Sequence, residues 1–243
     1  DNLAKWEHGQ VPFHWHREPE FFSVYQGEVE VRAGDRHLHL VQGETIFLNG
    51  GEFHSYAQTG KRKDCLCPNI VFSGELIAPV TGMVYQKYLS AVLYNPSLPY
   101  FILGPDVEWQ AQIIKRLYHV YGLLAKYGRK GFYEEISLDF GKGEPDSPCF
   151  ELDVAGELMG IFRELYIHRE DLPFQKESGK EQKTQIRLRK MLDYINEHYQ
   201  EKISLEEVAA SAGISSSEAG RCFQKYYGKA PIEYMIEYRL DQA

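Results

Sequence analysis

The sequence predicts a mixed fold, with a strand-rich front followed by helices and an all-helical C-terminal domain. In the front, apolar and polar residues alternate, as in Val29-Glu30-Val31 and Leu38-His39-Leu40. From about Asp106, apolar residues recur every three or four positions, which is typical of amphipathic helices. A capped helix pair after Ser204 completes the pattern.

Composition restricts the class of protein. Of 243 residues, 43% are hydrophobic and 26% charged, so the chain can bury a core and is neither disordered nor fibrous. No run approaches the ~20 apolar residues that span a bilayer, so we expect no membrane contact. Four cysteines (Cys65, Cys67, Cys149, Cys222) are too few for a disulfide scaffold, and they predict free thiols in a cytoplasmic protein.

Charge is divided unevenly along a chain whose formal net charge is −8. Residues 180–243 contain 10 basic and 10 acidic residues, so the acidity lies in the front part. An acidic front repels phosphate and suits a small-molecule or protein partner, whereas a neutral tail is compatible with nucleic acid.

Residues 10–58 are predicted to form short strands with turns at Gly27, Gly43 and Asn49-Gly50-Gly51. A further strand-like run is Asn69-Ile70-Val71-Phe72. Short strands at such regular spacing predict a small barrel or sandwich.

Two amphipathic helices are predicted over Asp106–Lys126 and Glu151–His168, separated by a Gly- and Pro-rich loop at 141–148. Their apolar stripes need a partner, either a sister helix or a second subunit. We therefore predict a helical dimerisation segment and a homodimer. The predicted organisation is a barrel at 1–105, dimer helices at 106–168, a polar linker at 169–183 and a helical domain at 184–243.

The sharpest chemical signal is a set of four residues: His14, His16, Glu20 and His54. Residues two apart on a strand share a face, so His14 and His16 can converge on one ion. Glu20 adds an oxygen from the next strand, and His54 comes from a distant one. Three imidazoles and a carboxylate suit zinc, nickel, iron or manganese, although the same residues can also serve as pocket polarity without a metal.

The spacing of these residues resembles a family signature. His14-x-His16-x3-Glu20-x6-Gly27 resembles the first cupin motif, and Gly43-x5-Asn49-x-Gly51-x2-His54 resembles the second. The resemblance implies a cupin-like β-barrel of the jelly-roll type with these four residues as metal ligands. Asn49 stands where the motif usually has proline, which affects a turn rather than a ligand.

The remaining histidines serve as controls. Leu38 and Leu40 are expected to face the core, which turns His37 and His39 to water. Three others are isolated on helical segments and are expected to be surface or structural residues: His119, His168 and His198.

A second motif begins at Ser204, which forms a capping box with Glu207. A short helix leads through Gly213 and Ile214 into a second helix, Ser216 to Tyr227. This pattern fits either a DNA-reading helix-turn-helix or a plain helical hairpin.

A resemblance to a known family favours the DNA-reading helix-turn-helix over the plain helical hairpin. Ile203-Ser204-Leu205-x2-Val208-Ala209-x3-Gly213-Ile214-Ser215, with the later Arg221-x-Phe223-x-Lys225 and Pro231-Ile232-x-Tyr234, resembles the DNA-binding domain of AraC/XylS-type regulators. The resemblance implies a non-enzymatic transcriptional regulator that binds operator DNA under the control of a small-molecule effector, often a carbohydrate or related metabolite. That domain normally holds two helix-turn-helix units. The sequence ends inside the segment matching the connecting helix, so only the first unit is expected here, and operator binding is expected through the complete C-terminal domain.

Site residues follow from both resemblances. DNA contacts are expected from Ser216, Ser217, Arg221 and Lys225, with modest specificity because Gly220 offers no side chain. Effector contacts are expected from the four candidate metal ligands and from Phe22 and Tyr56, with Trp15 nearby. The alternatives are a metal-dependent cupin enzyme (a dioxygenase or sugar isomerase) and a metal-sensing regulator, each using the same four ligands.

Overall fold

The computed structural model describes residues 3, 9–59, 65–127, 147–175 and 179–241. The chain divides into two compact units, Asp1–Gln175 and Lys176–Ala243. The division falls inside the segment predicted as a linker. None of the helices in the described part of the chain has the length and apolar character needed to cross a bilayer.

The first unit contains two four-stranded antiparallel sheets, as the alternating pattern predicts. Their strand orders are β1-β6-β3-β4 and β7-β2-β5-β8. The strands are β1 (Gln10–His14), β2 (Glu20–Ser23), β3 (Glu28–Ala33), β4 (Arg36–Val41), β5 (Thr45–Leu48), β6 (His54–Thr59), β7 (Asn69–Val71) and β8 (Tyr100–Leu103). Together they form a β-sandwich, which confirms the predicted strand-rich fold of the front half.

The second sheet is covered on both faces. Phe22 and Ile46 pack into the core shared with the first sheet, whereas Phe21 and Phe47 pack into a second core that includes the following helices. All residues of β2 and β5 are consequently buried. A strand buried on both faces shows no alternation of apolar and polar residues.

Two helices close the outer face of that sheet: α1 (Glu108–Tyr127) and α2 (Phe150–Ile167). Their apolar stripes, represented by Leu117, Leu158 and Phe162, are buried in one core with the sheet residues Phe21 and Phe47. The partner that these stripes need is therefore the sister helix, as one of the two alternatives predicts, together with the chain's own sheet. Most of the loop predicted at 141–148 lies outside the described residues.

The sequence analysis missed β8 and the connection before it. That connection contains short helical turns at Gly74–Leu76 and Tyr85–Leu89. β8 is a continuous apolar run between Pro99 and Gly104, which is the pattern of a buried strand.

The second unit is helical. Its helices are α3 (Gly179–His198), α4 (Leu205–Ser211), α5 (Ser216–Tyr227) and α6 (Pro231–Asp241). α3 begins inside the segment predicted as a linker. The sequence does not predict its first turn as helix, because that turn is polar and gives no periodic signal. Packing of α3, α4 and α5 is centred on buried side chains such as Leu188, Val208 and Phe223.

Candidate functional site

Two paired strands bring the predicted histidine cluster together. His14, the last residue of β1, lies directly opposite His54, the first residue of β6. His16 follows just after β1 ends. One ring nitrogen from each of the three histidines lies within 4.8 Å of the others. The convergence expected from the His-x-His spacing is observed, and strand register supplies the third ring.

A local hydrogen bond orients each of these rings. In His14, His16 and His54 in turn, Nδ1 lies 2.8, 2.7 and 2.8 Å from a backbone carbonyl oxygen two residues away. A carbonyl oxygen can only accept, so Nδ1 carries the hydrogen in all three rings. Nε2 is then the atom that a neutral ring offers to a cation. Metal-binding histidines are commonly held in this way.

Glu20, the first residue of β2, places its carboxylate at two of these rings. Oε2 lies 3.3 Å from Nε2 of His16 and 3.1 Å from Nε2 of His54. The contact with His54 lacks hydrogen-bond geometry, so this buried nitrogen has no hydrogen-bond partner among the described residues. Buried polar atoms are normally paired, and a shared cation would complete this arrangement.

Asn69 holds the other carboxylate oxygen and was missed by the sequence analysis. Its Nδ2 donates a hydrogen bond of 2.8 Å to Oε1 of Glu20. Asn69 lies on β7, which pairs with β2, the strand that begins with Glu20. No motif spacing connects the two residues, and only the strand pairing brings them together.

The local charges favour an ionised carboxylate. Burial raises the pKa of Glu20, but its contacts with His16 and His54 outweigh burial and hold that pKa well below its usual range. Burial lowers the pKa of His16, but its contact with Glu20 raises it above the usual value. Burial and then the charge of His54 lower the pKa of His14 from 6.5 to about 4. His14 is therefore neutral and Glu20 charged at neutral pH.

These donors fit a divalent transition metal. Three imidazole nitrogens and one carboxylate oxygen are the ligands that zinc, nickel, iron and manganese accept. All four predicted ligands contribute to one cluster, because Glu20 contacts two of the rings that the structure brings together. At neutral pH such a site carries one negative charge when the rings are neutral, which favours a cation.

Two of the aromatic residues expected to contact an effector, Phe22 and Tyr56, are buried inside the sandwich. Phe22 stacks on Tyr56 with ring centroids 3.8 Å apart, and both rings are buried. The Tyr56 hydroxyl has no hydrogen-bond partner among the described residues. Trp15 is partly exposed and lies 6.1 Å from the ring of Phe53. Phe22 is thus a core contact of Tyr56, and burial, followed by the charge of Glu20, raises the pKa of the Tyr56 hydroxyl well above its usual value.

Asn49, the departure from the cupin motif, has a structural role. Its Nδ2 donates to the carbonyls of Val92 and Leu98 at 2.8 and 3.0 Å, and its Oδ1 accepts from the Tyr94 backbone at 2.7 Å. The side chain therefore fixes the connection before β8. A proline could make none of these bonds.

The glycines after Asn49 support the histidine cluster. The backbone N–H of Gly51 donates to the carbonyl of His16 at 2.7 Å. A Cβ on Gly50 would stand 2.2 Å from the carbonyl oxygen of Arg17, so only glycine fits. The second motif thus holds the loop that carries His16.

The control histidines lie elsewhere. His37 and His39 are exposed and face Glu30 and Glu28 at 3.4 and 3.5 Å, as the alternation on β4 predicts. Three helical histidines have other partners: His119 contacts Glu157, His168 stacks on Trp109 and His198 stacks on Tyr194.

The second unit contains the predicted helix-turn-helix. Ser204 and Glu207 form the capping box that starts α4. Gly213 makes the turn with φ +66°, and Ser215 caps α5 by accepting the N–H of Glu218 at 3.3 Å. Ala209 is buried, so α4 and α5 can approach closely.

The residues expected to contact DNA lie on α5. Ser217, Arg221 and Lys225 are exposed at one-turn intervals, and Ser216 is partly buried. Nη1 of Arg221 donates to Oγ of Ser217 at 3.1 Å. No heavy atom lies within 4 Å of where a Cβ on Gly220 would stand, so this side of the helix is open.

Comparisons with known proteins identify both units. Residues 5–71 match the family described as "Cupin domain", and residues 195–235 match "Bacterial regulatory helix-turn-helix proteins, AraC family". The chain is 25% identical to the uncharacterized HTH-type transcriptional regulator YdeC of Bacillus subtilis (strain 168), covering 97% of this chain and 72% of that protein.

Two further similarities are weaker. The uncharacterized HTH-type transcriptional regulator YbfI of the same organism is 21% identical, covering 96% of this chain and 72% of that protein. The structure of ToxT from Vibrio cholerae is 14% identical, with a TM-score of 0.39 over 93% of this chain and 96% of that chain. The curated relatives are named as transcriptional regulators, not as enzymes.

Proposed function

Because the chain is an AraC-family helix-turn-helix regulator with an N-terminal cupin domain, we propose that a small molecule bound in that domain controls its binding to operator DNA. The convergence of His14, His16, His54 and Glu20 carries this proposal, since it joins three imidazoles and a buried carboxylate in one cluster that can accept a cation. The effector class is a carbohydrate or related metabolite. As a DNA-binding regulator, the protein would act in the cytoplasm.

We propose that the cluster holds one divalent metal. The support is the shared orientation of the rings, with each Nδ1 bonded to a carbonyl and Nε2 of His54 buried without a hydrogen bond. A bound metal would act as a Lewis acid toward an oxygen of the effector. Tyr56, whose buried hydroxyl has no hydrogen-bond partner among the described residues, would donate to another effector oxygen.

Control of DNA binding requires that the effector bind two states of the protein with different affinity. His16 is suited to report occupancy, because its backbone carbonyl accepts the N–H of Gly51 while its ring contacts Glu20. A ligand that displaces the ring would therefore act on the Asn49-Gly50-Gly51 loop and on the connection that Asn49 fixes.

We propose that two copies pair through α2. This helix exposes Leu152, Met159 and Ile167, which are 72%, 49% and 49% accessible. Gly156 lies on the same stripe, and no heavy atom stands within 4 Å of the position of its Cβ. Arg163 interrupts this stripe between Met159 and Ile167 with an exposed charge, so a second helix is expected to approach most closely over Leu152, Gly156 and Met159.

A second candidate is a metal-sensing regulator, in which the ion itself is the effector. The same cluster favours it, because Glu20 and three imidazoles can bind an ion without any organic ligand. The two candidates differ in whether metal alone changes the affinity for DNA.

A thermal-shift screen tests the proposed effector site. The purified chain is heated with a panel of monosaccharides, each in the presence and absence of zinc or manganese, beside His16→Ala and the control His37→Ala. A ligand of the site should raise the Tm of the wild type and of His37→Ala but not of His16→Ala. Equal shifts in all three proteins would place the effector elsewhere.

DNA selection tests the regulatory function. The 243-residue chain is incubated at low salt with a library of random duplexes, and bound sequences are amplified. Enrichment of a sequence by the wild type but not by Arg221→Ala is expected, since a bidentate base contact contributes about 1–3 kcal/mol. No enrichment by the wild type would contradict DNA recognition by this chain.

A further inference from the structure

A groove of about 350 Å³ lies between α3 and α5 of the second unit. Four cationic side chains and one carboxylate contribute to its lining. The full lining is Lys183, Thr184, Arg187, Glu218, Arg221, Cys222 and Lys225. Only Arg221 and Lys225 belong to the set expected to contact DNA, so α3 brings two additional cations to the surface of the recognition helix.

The groove concentrates the positive charge of its domain. Residues 180–243 carry 10 basic and 10 acidic residues, and the groove holds four of the basic residues but only one of the acidic ones. A neutral domain with a one-sided basic groove has the electrostatic footprint of a surface that meets phosphate.

The distance between the cations of α3 and those of α5 is compatible with the width of the DNA major groove. On α5, Arg221 and Lys225 lie one turn apart, and on α3 Lys183 and Arg187 do the same. Packed helices lie about 8–10 Å apart, and the major groove is about 12 Å wide between its phosphate backbones. When α5 enters the groove, the cations of α3 reach the backbone beside it.

Arg187 is held at the groove by an ion pair with α5. Its Nη1 lies 2.5 Å from Oε1 of Glu218, in the first turn of α5. Glu218 is itself fixed, because its N–H donates to Oγ of Ser215. A guanidinium has five N–H donors, so the ion pair leaves others for a phosphate oxygen.

We propose that Lys183 and Arg187 bind the DNA phosphates that flank the major groove occupied by α5. This inference rests on the proposed function, since it requires α5 to enter DNA. Phosphate contacts set the position of the protein and add affinity without reading sequence. Lys183 and Arg187 therefore act as positioning residues for the contacts made by Arg221.

The test measures how DNA affinity depends on salt. Duplexes enriched by the wild-type chain, and shuffled versions of them, are titrated at 50 and 200 mM salt with the wild type, Lys183→Gln, Arg187→Gln and the double variant. Each lost phosphate contact should reduce the salt slope by about one. The affinity ratio between the two salts should then shrink about 3.5-fold for each single variant and about 12-fold for the double variant.

Three controls separate the outcomes. Lys115→Gln removes the same charge from an exposed site on α1 and should keep the wild-type slope. Arg187→Lys keeps the charge and should largely restore the slope that Arg187→Gln loses. Arg221→Ala should reduce the preference for enriched over shuffled duplexes, whereas Lys183→Gln should leave that preference unchanged.

A wild-type slope in the double variant would overturn the inference while leaving DNA recognition intact. An equal loss in Lys115→Gln would also overturn it, because overall charge rather than the groove would then be responsible. Failure of the wild type to enrich any duplex would instead contradict the proposed function itself.

Discussion

Nε2 of His54 lies 3.1 Å from Oε2 of Glu20, and these side chains are only 1% and 2% exposed. A buried carboxylate needs hydrogen bonds or opposite charge to replace its lost hydration. Here the ring of His16 and the amide of Asn69 provide further contacts. One polar cluster therefore both stabilises the interior of the sandwich and forms the candidate effector site.

Replacing Glu20 should destabilise the first unit. Glu20→Gln removes the charge that His16 and His54 face, so the free energy of unfolding should fall by on the order of 3 kcal/mol. Urea unfolding followed by tryptophan fluorescence measures this, because all three tryptophans precede residue 110. Glu28→Gln, which removes an exposed partner of His39, should change stability by less than about 0.5 kcal/mol. Equal effects of the two substitutions would contradict the role given to Glu20.

Acid should destabilise the metal-free protein through His14. Its pKa is lowered from 6.5 to about 4, mainly by burial. The unfolded chain therefore takes up this proton at a higher pH than the folded chain, so stability present above pH 6.5 is lost as the pH falls toward 4. We expect a loss on the order of 3 kcal/mol from this residue. The loss should be absent from His14→Gln.

His16 acts in the opposite direction. Because its pKa is raised, its contribution is present below the unfolded value and is lost as the pH rises through the folded value. The difference between wild type and His14→Gln, measured by urea unfolding at several pH values, isolates His14. A difference that stays constant between pH 4 and 6.5 would refute this assignment.

The sequence analysis located the four clustered residues because motif spacing encodes strand register. It missed Asn69, whose contact with Glu20 depends on the pairing of β7 with β2. It anticipated only a turn effect for Asn49, because the groups that Asn49 bonds lie more than 40 residues away along the chain. Long-range pairings of this kind leave no local pattern.

The apolar stripes of α1 and α2 show a second limit of prediction from the sequence. Periodicity predicted α1 and α2 and indicated that their apolar faces need a partner. It did not identify the second sheet as part of that partner, because the periodicity of a helix does not show which element its apolar face contacts. In the second unit, by contrast, capping and turn residues are local, and α5 has the predicted bounds.

The exposed stripe of α2 should govern association. Leu152→Lys combined with Met159→Glu should give monomers in sedimentation velocity without lowering the Tm, because both side chains are exposed in the chain. Leu158→Ala should instead cost about 2–5 kcal/mol of stability, since Leu158 is fully buried. A dimer that persists in the double variant would exclude α2 as the interface.

Two glycines of the helix-turn-helix should respond oppositely to alanine. At both Gly213 and Gly220 no heavy atom lies within 4 Å of the added Cβ, but only Gly213 has a positive φ, +66°. Gly220→Ala should stabilise α5 by roughly 0.5–1 kcal/mol, because glycine is costly inside a helix. Gly213→Ala should destabilise the unit by about 1–2 kcal/mol. Urea unfolding followed by circular dichroism at 222 nm measures both, and a shared sign would contradict this account of the turn.

Metal binding at the histidine cluster tests the central claim most directly. The metal-free chain is titrated calorimetrically with zinc, nickel, iron(II) and manganese at neutral pH, beside His16→Ala and the exposed-histidine control His37→Ala. We expect at least one of these ions to bind the wild type and His37→Ala with a stoichiometry of one per chain. In His16→Ala that affinity should fall by about 100-fold or more, while the fold is retained. Equal affinity in all three proteins, or no binding to the wild type, would contradict a metal site formed by His14, His16, His54 and Glu20.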